Sequence, residues 1–400
     1  MKNKWTLEQL QFATLESQGL TELTPFGTGK KAVLNALEHL GYVQIDTLSI
    51  VERAHHHTLW TRIPDFQTGY LEELVEEHTI FEYWFHAASY LPMQDFRYVL
   101  PQMNHARKSK SHYYNADKKV MQYVMDMIRI EGPQRARDFE TESSKTGSWW
   151  NWKPAKLALE RLFMQGDLMI CGRKGMQKMY DLTERVLPQH ISTTEPDPIE
   201  FAEYLIKTCL RAYGFTTLKQ ITHLRTGNLL KINVSKVLKS MLEEGSIIQV
   251  DMEGLPPVFV QNSLLEKTVE FSNSHVRLLS PFDNSIIHRD RIRQVFNFDF
   301  RLECYTPKEK RQYGYFCLPV LFGDRFIGRA DCKAHRKDKQ FELIHLHIED
   351  SGMSTELWLE PFVETLKRFA VFNGCELLML TKVSPSKLTA AVREALYKQM

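Results

Sequence analysis

Val33-Leu34-Asn35-Ala36-Leu37-Glu38-His39-Leu40-Gly41-Tyr42-Val43-Gln44-Ile45-Asp46 is the stretch on which the fold turns. Val33, Leu34 and Leu37 stand eight, seven and four positions before Gly41. Residues so spaced share one face of a helix. The glycine then supplies the left-handed residue that ends it, having no Cβ to clash. A short strand-like run, Tyr42 to Ile45, follows.

The same order recurs twice. Ala158, Leu159 and Leu162 hold those offsets before Gly166, and Val237, Leu238 and Met241 hold them before Gly245. The matching strand runs are Asp167-Leu168-Met169-Ile170 and Ser246-Ile247-Ile248-Gln249. Return strands are expected over Lys178–Leu182 and Pro257–Val260, after turns at Gly172-Arg173-Lys174-Gly175 and Glu253-Gly254-Leu255-Pro256. Upstream helices are expected over 117–130, 198–213 and 217–224, with a short one restarting at Pro133. Helix, helix, β-hairpin is the winged-helix order, in which the last helix commonly reads DNA. Such modules also serve as protein-interaction or spacer units.

From about Val276 the pattern changes. Runs at 314–320, 324–334 and 341–348 read as strands, with a closing helix over 357–372. The expected fold class is therefore α+β. Three tandem winged-helix units (1–115, 116–190 and 191–275) precede a β-rich C-terminal domain, 276–400.

The bulk composition excludes several classes. Hydrophobic residues are 43% and charged residues 25% of 400, as in globular proteins. No apolar run is long enough to span a membrane, and Met1-Lys2-Asn3-Lys4-Trp5 opens no secretory signal. The six cysteines are scattered without a C-x-x-C pair, so reduced thiols in a cytoplasm are expected and a zinc site is not. A formal charge of only +2 means that a nucleic-acid binder must gather its basic residues locally. No metal and no cofactor are expected.

One copy of the repeat breaks its own pattern. Three and five positions past the glycine stand Met169 and Cys171 in the second copy, and Ile248 and Val250 in the third; the first has Gln44 and Asp46. Burying such groups unpartnered costs several kcal/mol, about 2–7 for an amide, and local rules break mostly at functional sites. On a strand the two side chains would share a face with a water between them. Gln44 would position that water and Asp46 would accept its proton. Alternatively, Asp46 caps the next helix and Gln44 satisfies a loop, although Ser49 and Glu52 already spell a capping box for a helix over 50–61.

That helix carries Arg53, His55, His56, His57 and Trp60, with Arg62 just beyond. Three successive histidines point about 100° apart and cannot all hold one metal; beside the polar pair they read as a substrate face. Arg289, Arg291 and Arg293 are expected at phosphates, the plain alternative being a solvated loop. Phe81-Glu82-Tyr83-Trp84-Phe85-His86 reads as base-stacking residues or, more commonly, as core. The basic run 105–112 reads as linker or backbone contact, and His345 with His347 as ordinary strand residues lacking a third metal ligand.

Val43-Gln44-Ile45-Asp46-Thr47, Val51-Glu52-Arg53-Ala54-His55-His56-His57 and Leu59-Trp60-Thr61-Arg62 resemble the YcaQ/AlkX-type interstrand-crosslink DNA glycosylases, relatives of the AlkZ-like enzymes. Leu279-Ser280-Pro281-Phe282-Asp283-Asn284 and Gly328-Arg329-Ala330-Asp331 extend the likeness to nearly the whole chain. The resemblance implies tandem winged helices with a β-rich domain, and a Gln-aliphatic-Asp catalytic motif falling on Gln44, Ile45 and Asp46. It implies a monofunctional, monomeric glycosylase acting on double-stranded DNA that carries N7-alkylated or crosslinked purines. AlkZ-type relatives tend to carry Gln in place of the carboxylate, so Asp46 points to the broader-specificity branch. A bacterial, nucleoid-associated repair enzyme is the expectation. The alternative is a non-enzymatic winged-helix regulator, which would need neither Gln44 nor Asp46; no heptads or sensor pocket are evident for it.

Overall fold

The computed structural model describes residues 5–109, 116–139, 152–225, 227–252, 254–262, 264, 275–349 and 352–398. The first helix, α1 (Leu7–Ser17), opens on a capping box: Gln9 N–H donates to Thr6 Oγ1 and Thr6 N–H to Gln9 Oε1. Next, α2 (Gly29–Leu40) buries Ala32, Val33, Ala36, Leu37 and Leu40 on one face. Then come β1 (Val43–Gln44), α3 (Ala54–Trp60), α4 (Gly69–Glu76), β2 (Ile80–Trp84), β3 (Ala88–Pro92) and α5 (Leu100–Lys108). The chain continues through α6 (Lys118–Glu131), α7 (Trp152–Met164), β4 (Leu168–Lys174), β5 (Gln177–Leu182) and α8 (Thr183–Val186). A third stretch holds α9 (Pro198–Tyr213), β6 (Phe215–Thr216), α10 (Leu218–Ile221), α11 (Asn228–Glu243), β7 (Ile247–Val250) and β8 (Val258–Gln261). The last holds β9 (Val276–Leu278), α12 (Asn284–Ile287), α13 (Arg289–Phe296), β10 (Cys317–Phe322), β11 (Arg325–His335), β12 (Gln340–Ile348), α14 (Thr355–Phe372), β13 (Leu377–Ser384) and α15 (Thr389–Tyr397).

The glycines behave as helix stops. Gly41, Gly166 and Gly245 have φ of +79°, +81° and +72°, the side of backbone space where a Cβ is costly. Helix, glycine and antiparallel hairpin follow one another at α7–β4–β5 and at α11–β7–β8.

The chain forms two compact units, and neither is continuous in sequence. The smaller comprises 29–42 and 67–204. Its core gathers Phe81, Tyr83, Phe96, Val124, Leu159, Leu162, Leu168 and Ile170, from the β2–β3 hairpin, α6, α7 and β4. Glu82 lies buried there under Arg173 of β4 (2.6 Å) and Lys178 of β5 (3.2 Å), so the hairpin that carries the expected basic turn spends these cations on a carboxylate. The aromatic run is mostly core: Phe81 and Tyr83 are buried, Tyr83 Oη donates to Met164 O at 2.6 Å, and Trp84 is exposed. In the basic run, Arg107 pairs with Asp167 at 2.9 Å, and 110–112 fall outside the described residues.

The larger unit comprises 1–28, 43–66 and 205–400. Its five-stranded sheet has the order β13-β12-β11-β10-β9, antiparallel except for the β12–β13 pair. Leu318, Val320, Phe341, Leu343 and Leu346 cover Trp358, Phe362, Leu366 and Phe369 of α14. The expected strands and closing helix are present; β13 and α15 were not anticipated, and Glu253 of the second expected turn is outside the described residues. Among the described residues no helix is long and apolar enough to cross a membrane.

Three expectations are corrected. The strand after Gly41 spans Val43–Gln44 only, which leaves Asp46 in the irregular segment beyond it. The helix expected over 50–61 starts at Ala54, with no side-chain cap. Its first four residues are spent elsewhere: Ile50 O accepts from Ala334 N–H at 2.9 Å, and Glu52 N–H donates to Asn373 Oδ1 at 2.6 Å. The helix expected over 217–224 is the single turn of α10, opened by a Thr217–Gln220 capping box.

Candidate active site

Gly41 N–H closes α2 on Leu37 O at 2.8 Å, and the chain leads directly into Val43-Gln44. Gln44 is buried and Asp46, two residues on, is half-buried. Leu48 N–H donates to Asp46 Oδ1 at 2.8 Å. This is an Asx-type turn, which fixes the carboxylate locally without capping a helix. Burial raises the Asp46 pKa above the ordinary carboxylate value, and the Leu48 N–H offsets only part of the rise.

Cys304 and Tyr305 lie within electrostatic range of Asp46. Burial raises both groups and the Asp46 charge adds to the rise. Their loop is held by Glu303, whose carboxylate accepts from Gln312, Tyr313 and Gly314 N–H at 2.8, 2.8 and 3.1 Å. Tyr305 itself is 80% exposed. The sequence reading passed over it, because a tyrosine in a polar loop carries no signal of its own.

Below Asp46 the chain anchors to the sheet unit. Glu52 Oε1 meets His56 Nδ1 at 2.9 Å and accepts from Arg53 N–H at 3.1 Å. Burial opposes its ionisation, yet these partners and Arg336 hold its pKa below the ordinary value. Arg53 is partly buried, and its Nε has no hydrogen-bond partner.

Several residues expected on a DNA face are instead consumed by the fold. Arg62 is fully buried, and its five N–H groups are all engaged. Nη1 and Nη2 fork onto Asp283 at 2.7 and 2.8 Å; Thr58 O, Gln18 O and Gln18 Oε1 take the rest. A guanidinium with every donor spent cannot also bind a phosphate. This pair also joins two stretches quoted for the family resemblance, since Asp283 belongs to Leu279–Asn284 and caps α12.

His57 is buried with Nε2 2.8 Å from Leu278 O, and burial lowers its pKa to about 4. It is neutral and faces the interior. His55 is buried against the His56 ring, with centroids 4.3 Å apart. Trp60 stacks on Phe372 at 5.4 Å. Arg291 is buried, donating to Phe215 O, Thr14 Oγ1 and Tyr213 O, with its guanidinium 3.5 Å over the Phe215 ring. Arg289 donates to Ile286 O and Pro281 O, and Arg293 points outward beside Asp290. Three charges expected at phosphates or bases thus hold carbonyls and an internal carboxylate.

The Gly328–Asp331 motif is likewise internal. A Cβ on Gly328 would run into His347 O of the neighbouring strand, while Asp331 accepts from Tyr315 and Phe316 N–H at 3.0 and 2.9 Å. His345 is committed to Tyr313 O and Ser384 Oγ. Among the described residues, no group of three or more His, Cys, Asp or Glu is placed to hold a metal.

The family model described as DNA glycosylase AlkZ-like matches residues 37–370. Among solved structures, Streptomyces sahachiroi DNA glycosylase AlkZ superposes with a TM-score of 0.63 at 16% identity. The alignment covers 96% of this chain and 100% of that one. At that identity the likeness speaks for a shared mixed α/β fold.

Proposed function

The chain belongs to the AlkZ-like DNA glycosylase family, and on that premise we propose that it hydrolyses the N-glycosidic bond of N7-alkylated purines and unhooks interstrand crosslinks, with Asp46 and Gln44 as the catalytic pair. The supporting observation is Asp46 itself: a half-buried carboxylate with a raised pKa, standing where the repeat elsewhere has Cys171 and Val250. A carboxylate whose proton affinity is raised is a better base for water. Its charge also stabilises the oxocarbenium-like sugar formed as the base departs. A purine alkylated at N7 leaves as a cation, so no second carboxylate is needed as acid, and Gln44 holds the water.

The tandem winged-helix arrangement, with the four-part division at 115, 190 and 275, belongs to the same proposal. So does a monomer that cleaves no backbone. Of the lesion-binding residues expected from sequence, the proposal retains Arg53, whose Nε is unsatisfied, and the partly buried His56, and drops His55 and Trp60, which pack inward. It adds Tyr305 as a ring that stacks on the damaged base.

The test is base release from duplex DNA carrying N7-methylguanine or a nitrogen-mustard crosslink. Wild type is expected to leave abasic sites, and Asp46→Asn to lose at least about a hundredfold in rate, the usual scale for a positioned proton acceptor. Equal rates would sink the assignment of Asp46. Tyr305→Ala is expected to raise KM several-fold with little change in kcat.

A further inference from the structure

A cavity of about 240 Å³ in the larger unit is lined by Trp60, Thr61, His275, Arg277, Glu364 and Arg368, among others. Arg277 is 8% exposed, and donates to the carbonyls of Leu20, Thr61 and Glu22. Carbonyls satisfy N–H groups but do not neutralise the charge. The nearby carboxylate, Asp283, is forked onto Arg62. With three of its five N–H groups donated to these carbonyls, Arg277 keeps two donors to offer.

Arg368 is exposed and stands 5.9 Å over the Trp60 ring. Glu364 lies one helical turn before it, yet among the described residues neither Arg368 nor Arg277 forms an ion pair. A buried guanidinium without an anion is costly, several kcal/mol by desolvation alone. Arg277, buried, and Arg368, exposed at the rim, both line the cavity and form a fork suited to phosphate.

We propose that this cavity is a phosphate-binding subsite, in which Arg277 and Arg368 hold the oxygens of a phosphate group and the Trp60 face packs beside Arg368. The phosphate comes from the DNA backbone or from a free phosphate ion; the recognition chemistry is the same. Glu364 tempers the affinity from the rim. The subsite is independent of the roles assigned to Gln44 and Asp46, and neither readout below uses base release.

Inorganic phosphate and an undamaged duplex are the probes, with Arg368→Gln and Glu364→Gln as variants, both exposed on α14. If the ligand is free phosphate, phosphate raises the wild-type Tm saturably against chloride at equal ionic strength. Arg368→Gln abolishes that rise and Glu364→Gln shifts it to lower phosphate concentration. If the ligand is the backbone, the slope of log K against log salt for the duplex falls by about 0.9 in Arg368→Gln, one phosphate's worth. Either result supports the subsite and identifies its source. An Arg368→Gln protein with the wild-type Tm in chloride, unchanged phosphate response and unchanged slope overturns it.

Discussion

Asp46 keeps its carboxylate half out of water with a single backbone donor, Leu48 N–H, to hold it. Because burial disfavours the charged form, folded Asp46 retains its proton to higher pH than the unfolded chain does. The stability this contributes is full below the unfolded pKa and is lost as pH rises through the folded one. At pH 7 the ionised group is therefore a cost, and Asp46→Asn, which keeps an acceptor for Leu48, removes it. The variant is expected to melt about 1–3 °C above wild type at pH 7, with the gap closing in acid, while base release is lost. A wild-type rate profile should fall on acidification with a midpoint above the ordinary carboxylate value. Arg62 makes the opposite case. Removing one partner of a buried ion pair costs roughly 3–5 kcal/mol, so Arg62→Ala should show that loss in urea unfolding. A residue that only touched DNA would leave unfolding unchanged. The motif stretch 43–62 thus contains two kinds of residue that look alike on paper: a carboxylate kept near water and an arginine with none of its donors left.

Among the elements, glycines were the most legible feature and helix starts the least. Gly41, Gly166 and Gly245 all take positive φ, because a backbone stop depends on the residue itself. Their substitutions differ in cost with what surrounds them. A Cβ at Gly245 meets open space, so Gly245→Ala should cost about 1–2 kcal/mol, the left-handed penalty alone. Gly214, with φ of +72°, would drive its Cβ into the Ala13 carbonyl of α1. Gly214→Ala should therefore exceed Gly245→Ala by about 1 kcal/mol or more in denaturant midpoints. Helix starts are decided by competition. Ser49 and Glu52 spell a capping box, but Ser49 O and Ile50 O accept hydrogen bonds from Arg336 and Ala334 while Glu52 N–H goes to Asn373. Thr6–Gln9 and Thr217–Gln220 spell the same signal and do cap α1 and α10; the Gln220 Oε1 that accepts from Thr217 N–H also takes a long 3.4 Å bond from Arg291 without opening the box.

At the scale of the molecule, the two compact units exchange the chain four times, at 28/29, 42/43, 66/67 and 204/205. Helix α2 therefore belongs with residues far along the chain: it packs on α4 and β3, and Lys30 pairs with Glu73 at 2.9 Å. A fragment of 67–204 is expected to lack cooperative thermal unfolding by circular dichroism. Attaching residues 29–42 through a flexible linker should restore it, because the five buried side chains of α2 are then returned to their unit. A cooperative transition in the shorter fragment would contradict this. The Gly41 repeat made the local order of helix, glycine and strand readable, but not that the helix and the strand after it belong to different units.

What the sequence determined by itself was local and periodic. Helical stripes of Val33, Leu37, Leu159 and Val237, the glycine stops, the strands of the large sheet and the two polar residues at 44 and 46 follow from spacing and from steric rules that act within a few residues. Only tertiary structure decided which cations are available to a partner. Arg62 and Arg291 lie buried because Asp283, and the carbonyls of Phe215 and Tyr213, reach them from more than 70 residues away. Arg277 and Arg368 meet in one cavity although 277 and 368 sit on a strand and a helix far apart in sequence. Charge is written in the sequence; whether it is spent internally depends on long-range geometry, which no local pattern encodes.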